Sequence, residues 1–126
     1  MDGSETLFDA VGGTPFFERL VGRFYDRVES DDVLLATYPE REDLRGARRK
    51  LTLFLVQYWG GPPTYHEERG HPALRMRHAG FAIDDEVAGR WLTHMQASVE
   101  ELDPPEPYRT ELLEYFAMAA PALRNR

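Results

Sequence analysis

The chain contains no cysteine. That absence removes disulfides, thiolate nucleophiles, iron–sulfur clusters and thiolate-held haem together. It also removes thioether attachment of haem through a C-x-x-C-H motif. A metal must then be held by histidine, methionine, tyrosine or carboxylate, and there are four histidines: His66, His71, His78 and His94. Long apolar runs are missing as well, and none approaches the roughly 20 residues of a membrane span. Positive charge is in deficit, with 15 Lys and Arg against 22 Asp and Glu, a net charge of −7. An acidic surface argues against nucleic-acid binding and against docking on anionic lipid. The opening "MDGSETLFDA" lacks the charged-then-apolar layout of a signal peptide, so cytoplasmic residence is expected. No P-loop, dinucleotide fingerprint or nucleophile elbow occurs, and no internal repeat or linker interrupts the chain.

What is present is a globular composition, 42% hydrophobic and 29% charged over 126 residues, enough for one domain spanning 1–126 with its own core. Helical periodicity dominates. Phe16, Phe17, Leu20, Val21, Phe24, Tyr25 and Val28 form one wide stripe and predict a helix over 15–29. Thr14 is expected to cap it, with Pro15 in the first helical position. A shorter helix from Glu5 to Val11 leads in. Leu44, Ala47, Leu51, Phe54, Leu55, Tyr58 and Trp59 predict a second long helix over 43–59, stopped by "GGPP". Val87, Trp91, Met95, Val99 and Leu102 predict a third over 84–102. After "DPPEP", the residues Tyr108, Leu112, Tyr115, Phe116, Ala119 and Leu123 predict a fourth. No strand alternation appears, so the fold class is all-α. Residues 30–43 read as a short turn-helix ending at Tyr38-Pro39. The segment 60–81 is long and polar, a length that in a small domain marks a functional or disordered loop. After Pro72 it is expected to hold a helix of about two turns.

His78 lies four residues after Leu74, so both face one way in a helix. Ala79 and Gly80 leave room beside the ring, and Phe81 can pack on it. On these residues alone His78 is either a metal ligand, of the kind a haem iron takes on its proximal side, or a helix-end histidine. Tyr25, Tyr38 and Trp91 are either core aromatics or polar donors converging on one cavity. Arg75, Arg77 and Lys50 are candidate partners for ligand carboxylates. His66 and His71 flank Glu67 and Glu68 with no strong zinc spacing and read as surface residues. His94 reads as structural.

The pieces "DAVGG" (9–13), "RFYDRV" (23–28), "YPE" (38–40), "FLVQYWGGPPTYHEERGHPALRMRHAGF" (54–81) and Trp91 together resemble the group II truncated haemoglobins, closest to the actinobacterial O-type. The resemblance covers about residues 7–123. It implies a truncated globin fold, a two-on-two helical sandwich around non-covalent haem b. The helices at 15–29 and 43–59 would form one pair, and those at 84–102 and 106–123 the other. It further implies His78 as proximal iron ligand and Tyr25, Tyr38 and Trp91 as distal ligand-stabilising residues, with Ala47 and Leu51 at the distal gate. Arg77, Lys50 and Tyr65 would meet the haem propionates. Phe24, Phe54, Leu55, Leu74, Phe81 and Met95 would line the haem. The function so implied is reversible binding of oxygen, carbon monoxide and nitric oxide with slow release. Oxygen transport, peroxidase-like turnover and nitric oxide dioxygenase-like turnover are its candidate uses, turnover needing an external reductant. A second copy of the chain is a candidate partner. The competing reading is a haem-free helical interaction module that uses the same aromatics as core.

Overall fold

Helices alone make up the regular structure of the computed structural model, which describes residues 5–78 and 80–126. Ala79 and the side chain of Arg75 lie outside the described residues, so the roles expected of them beside His78 and at a ligand carboxylate lie outside as well. The order is α1 (Leu7–Ala10), α2 (Thr14–Glu29), α3 (Asp32–Leu35), α4 (Arg45–Tyr58), α5 (Thr64–Arg69), α6 (Leu74–Arg77), α7 (Asp85–Leu102) and α8 (Tyr108–Ala122). No strand occurs among the described residues.

The apolar stripe of α2 is what organises the rest. All seven of its predicted positions are buried, with Phe17, Leu20, Phe24 and Val28 at 0% exposure. At about 1.5–3 kcal/mol per side chain, that burial amounts to roughly 10–20 kcal/mol before entropy is charged against it. The cap matters far less, about 1 kcal/mol, and it differs from expectation. Gly13 rather than Thr14 is the N-cap, at φ 77°, and Thr14 is already helical. A positive φ of that kind suits glycine, and Thr14 therefore has no capping role.

α2 packs along α4, α7 packs along α8, and α2 also packs on α7, so two helix pairs share one core. α1 closes one end. Its Phe8 N–H donates to the Trp59 carbonyl at 3.0 Å, and Phe8, Phe17 and Trp59 stack in series with centroids 6.2 and 6.0 Å apart. The "GG" after α4 permits this approach. A Cβ on Gly61 would stand 2.7 Å from the Phe8 ring, and one on Gly60, at φ 103°, 2.7 Å from Thr6.

α7 begins where predicted, with Asp84 as N-cap accepting from the Val87 N–H at 2.9 Å. Within 60–81 the structure holds an unpredicted helix, α5, and α6 is one turn where two were expected. No helix among the described residues is long and apolar enough to cross a membrane.

Candidate functional site

α5 and α6 matter because of what they carry to the space between the helix pairs. α5 is fixed to α4 by polar contacts in place of an apolar stripe. Arg49 grips Glu68 with two hydrogen bonds at 2.6 and 2.8 Å, and the Gln57 side-chain oxygen accepts from the His66 N–H at 2.7 Å. Tyr65 is buried edge-on against Phe54, centroids 5.7 Å apart. The Arg77 guanidinium lies over the Tyr65 ring at 5.9 Å and staples the loop between α5 and α6. Its Nε donates to the Pro72 carbonyl at 2.7 Å, and Nη2 donates to the Arg69 and His71 carbonyls at 2.6 and 3.1 Å. Its Nη1 has no protein hydrogen bond among the described residues. His71 accepts from the Ala73 N–H through Nδ1, a local turn contact. His66 and His71 are exposed, and no group of three or more potential metal-ligating side chains forms among the described residues.

The loop so held presents His78 at the end of α6. His78 Nδ1 lies 2.7 Å from the Leu74 carbonyl oxygen. A carbonyl only accepts, so Nδ1 carries a proton, and in the neutral ring that tautomer leaves the lone pair on Nε2. A hydrogen bond to the backbone on one nitrogen fixes ring orientation and raises the basicity of the other, the arrangement metal-ligating histidines use. Phe81 packs against the ring at 5.3 Å.

Beside His78 opens a cavity of about 260 Å³, near the lower end of small-molecule sites. Tyr25, Tyr38, Trp91, Ala47 and Leu51 lie on its wall, as do Phe54, Leu55, Leu74 and Phe81. So do Lys50, Tyr65 and Arg77. Lys50 faces Glu40 across a loose ion pair of 3.9 Å. Two residues expected to line the site do not. Phe24 and Met95 are fully buried in the core and are absent from the cavity wall. Phe24 sits one layer back, its ring 4.9 Å from both Tyr25 and Trp91, and so supports these two wall residues from behind.

Tyr25, Tyr38 and Trp91 are neighbours. The Tyr25 and Tyr38 rings meet edge to face at 5.8 Å. Burial pushes the Tyr25 phenol well above its ordinary range, with the charge of Tyr38 adding to it. Burial also pushes Tyr38 up to about 12, against hydrogen-bonding contributions from Tyr25 and Trp91 that pull it down. Both phenols therefore stay protonated at neutral pH and keep O–H groups to donate.

Several wall residues were not singled out in the sequence. Arg69 adds a third cation beside Lys50 and Arg77. Leu34 comes from α3, and Thr37, Pro39 and Glu40 come from the turn after it. Ile83 comes from the segment before α7, Val87 and Ala88 from its first turn, and Tyr115, Phe116, Ala119, Ala120 and Leu123 from α8 and its end. The periodicity of α8 marked its share as buried, without distinguishing core from cavity.

Known proteins share this fold. The profile of the bacterial-like globin family matches residues 6–125. The group 2 truncated hemoglobin YjbI of Bacillus subtilis is 42% identical over 95 residues, covering 75% of this chain and 70% of that protein. The crystallised thermostable hemoglobin of the actinobacterium Thermobifida fusca superposes with a TM-score of 0.93 at 52% identity, over 96% of this chain and 98% of that one. The hemoglobin of Chloroflexus aurantiacus superposes with a TM-score of 0.94 at 46% identity, over 98% and 100%.

Proposed function

The chain belongs to the bacterial-like globins, as a group II truncated haemoglobin of two-on-two fold that binds haem and oxygen, and from that premise we propose that it holds non-covalent haem b through His78 and retains diatomic ligands under Tyr25, Tyr38 and Trp91. The Nδ1 contact of His78 to the Leu74 carbonyl carries this reading, since it leaves Nε2 as a free donor atom aimed from a fixed ring. When bound, haem would supply an iron that His78 could hold and that could take up a small diatomic ligand. Without cysteine, attachment through thioethers has no chemistry available.

The residues present fit such a group. Its apolar face needs the wall of Phe54, Leu55, Leu74 and Phe81, and its two carboxylates need cations at the rim. Lys50, Arg69 and Nη1 of Arg77 are the cations on that wall, and the Tyr65 hydroxyl is a further donor. Charge-assisted bonds of this kind are about twice as strong as neutral ones. Ala47 and Leu51 bring no polar group, so ligand entry past α4 is limited by size.

On the distal side, Tyr25, Tyr38 and Trp91 offer O–H and N–H donors to a ligand that acquires negative charge. One hydrogen bond to a charged acceptor contributes roughly 1.5–3 kcal/mol. Three such donors favour slow release, which suits redox chemistry on oxygen, nitric oxide or peroxide better than oxygen delivery. Such turnover draws on a reductant from outside this domain, and the cytoplasm is the proposed compartment.

The test is spectroscopic and kinetic. Purified protein given hemin develops a Soret band that His78→Ala abolishes or badly disturbs. Trp91→Leu and Tyr38→Phe each speed oxygen release about tenfold to a hundredfold, the loss falling on the off-rate. A folded protein that ignores hemin would return the chain to a haem-free helical interaction module. Release that is fast in the wild type and unmoved by Trp91→Leu contradicts ligand retention by these donors.

A further inference from the structure

The three residues 124–126, past the end of α8, turn back onto the segment that follows His78. Asn125 makes most of the contacts. Its side-chain amide N–H₂ donates to the Phe81 carbonyl at 2.8 Å and to the His78 carbonyl at 3.2 Å. Its Oδ1 accepts from the Ile83 N–H at 2.9 Å, and its own backbone N–H donates to the Ile83 carbonyl at 2.8 Å. The Arg126 N–H reaches that same carbonyl at 3.1 Å. Arg124 pairs with Asp85 at the start of α7.

The chemistry of the side chain fits its surroundings. Two carbonyls require donors and one N–H requires an acceptor, and a primary amide supplies both from one planar group. The orientation of that amide follows from the same requirement, since its oxygen cannot face a carbonyl. Aspartate has the same shape and cannot serve, because a carboxylate would repel the carbonyls.

The local structure shows why His78 needs a hold of this sort. α6 is a single turn, too short to be stable by its own hydrogen bonds. Its N-cap, Ala73, is in the left-handed region at φ 44°. The Nδ1 contact ties the ring to the turn before it, and nothing in that contact fixes the backbone that leaves His78. The Phe81 N–H closes on the His78 carbonyl at 2.9 Å, and Asn125 donates to the carbonyls of both residues from 47 and 44 positions along the chain.

We propose that Asn125 is a positioning residue for His78: by clasping the backbone at His78, Phe81 and Ile83 it sets the tilt and reach of the imidazole that holds the haem iron. The proposal rests on the reading of His78 as the iron ligand. It makes the end of α8 part of the proximal site, with no contact to haem required of Asn125 itself.

The test uses the hemin-loaded protein and two variants, Asn125→Ala and Asn125→Asp, the second keeping the volume of the side chain. The readouts are the iron–histidine stretching band of the ferrous protein, the rate of hemin transfer to an apo-globin acceptor, and the melting temperature. The band should shift or split in both variants. Hemin loss should accelerate roughly fivefold to tenfold, the worth of one net hydrogen bond. Exchange of the Ile83 amide should quicken in Asn125→Ala. A lower melting temperature with an unmoved band would overturn the proposal, because it marks a stabilising contact only. So would an unmoved band and rate in both variants, provided that the band is lost in His78→Ala. A band that survives His78→Ala removes the reading of His78 and the proposal with it.

Discussion

At the scale of single residues, Tyr25 and Tyr38 gain protection from their burial. Tyr38 is only 8% exposed and Tyr25 only 4%. Burial raises both phenols, Tyr38 to about 12, and the negative charge of Glu40 pushes each further the same way. A raised folded value in an acid means that the unfolded chain ionises first. For Tyr38 the stability contributed is therefore complete below about pH 10, and it is lost as pH rises from there through about 12. For Tyr38 that is on the order of 2–3 kcal/mol. Urea denaturation between roughly pH 9 and 12 should show a steep alkaline loss in the wild type and a shallower one in Tyr38→Phe. Equal slopes would mean that the phenol is better solvated than its burial indicates. The candidacy of these tyrosines was legible in the sequence, because Tyr25 falls on an apolar stripe and Tyr38 precedes proline. Their mutual contact was not, since it depends on where the turn after α3 folds back over α2.

At the scale of elements, α3 is held to α7 by one carboxylate. Asp31 caps α3 by accepting from the Leu34 N–H at 3.1 Å. It meets His94 Nε2 at 2.7 Å and accepts from Arg90 Nη1 at 3.0 Å. The hydrogen bond with His94 holds the Asp31 carboxyl low, at about 2, against the burial that raises it, and Leu34 and Arg90 help. Arg90 and His94 bracket Trp91 on α7, and α3 leads within three residues to Tyr38, so this contact joins two sides of the cavity wall. A depressed carboxyl contributes stability that is present above about pH 4 and lost as pH falls through about 2. Asp31→Asn should cost on the order of 2 kcal/mol at neutral pH and flatten the acid limb between about pH 4 and 2, as read by chemical denaturation. An unchanged acid limb would show that the carboxylate is paired equally well in the unfolded chain. The sequence marked His94, beside Met95, as structural, and its partner in the structure is Asp31. Sequence patterning located the four long helices because each carries at least three turns of apolar repeat. It missed α5, whose "TYHEER" has no apolar period and is ordered by Arg49 and Gln57 from a different helix.

At the scale of the whole molecule, a haem between the helix pairs would complete their packing. A ligand bound only by the folded state stabilises it by about 2.7 kcal/mol at a hundredfold excess over its dissociation constant. For a domain of this length that is a rise of roughly 10 °C in melting temperature. Hemin should produce that rise in the wild type and little of it in His78→Ala, as followed by circular dichroism. An equal rise in both would place the binding energy in the cavity wall instead of the histidine. By itself the sequence determined the all-helical class, the stripes that would be buried and the residue types able to hold haem, because periodicity and side-chain chemistry are local properties. Tertiary structure alone decided what each buried residue faces. Phe24 and Met95 share a helical stripe with pocket residues and end in solid core, whereas Tyr115, Ala119 and Leu123 face a cavity. A stripe records that a position avoids water. Whether it meets another side chain or an open volume depends on how two helix pairs sit against each other. That placement is fixed by contacts between residues far apart in the chain, among them the hold of Asn125 on the backbone of His78.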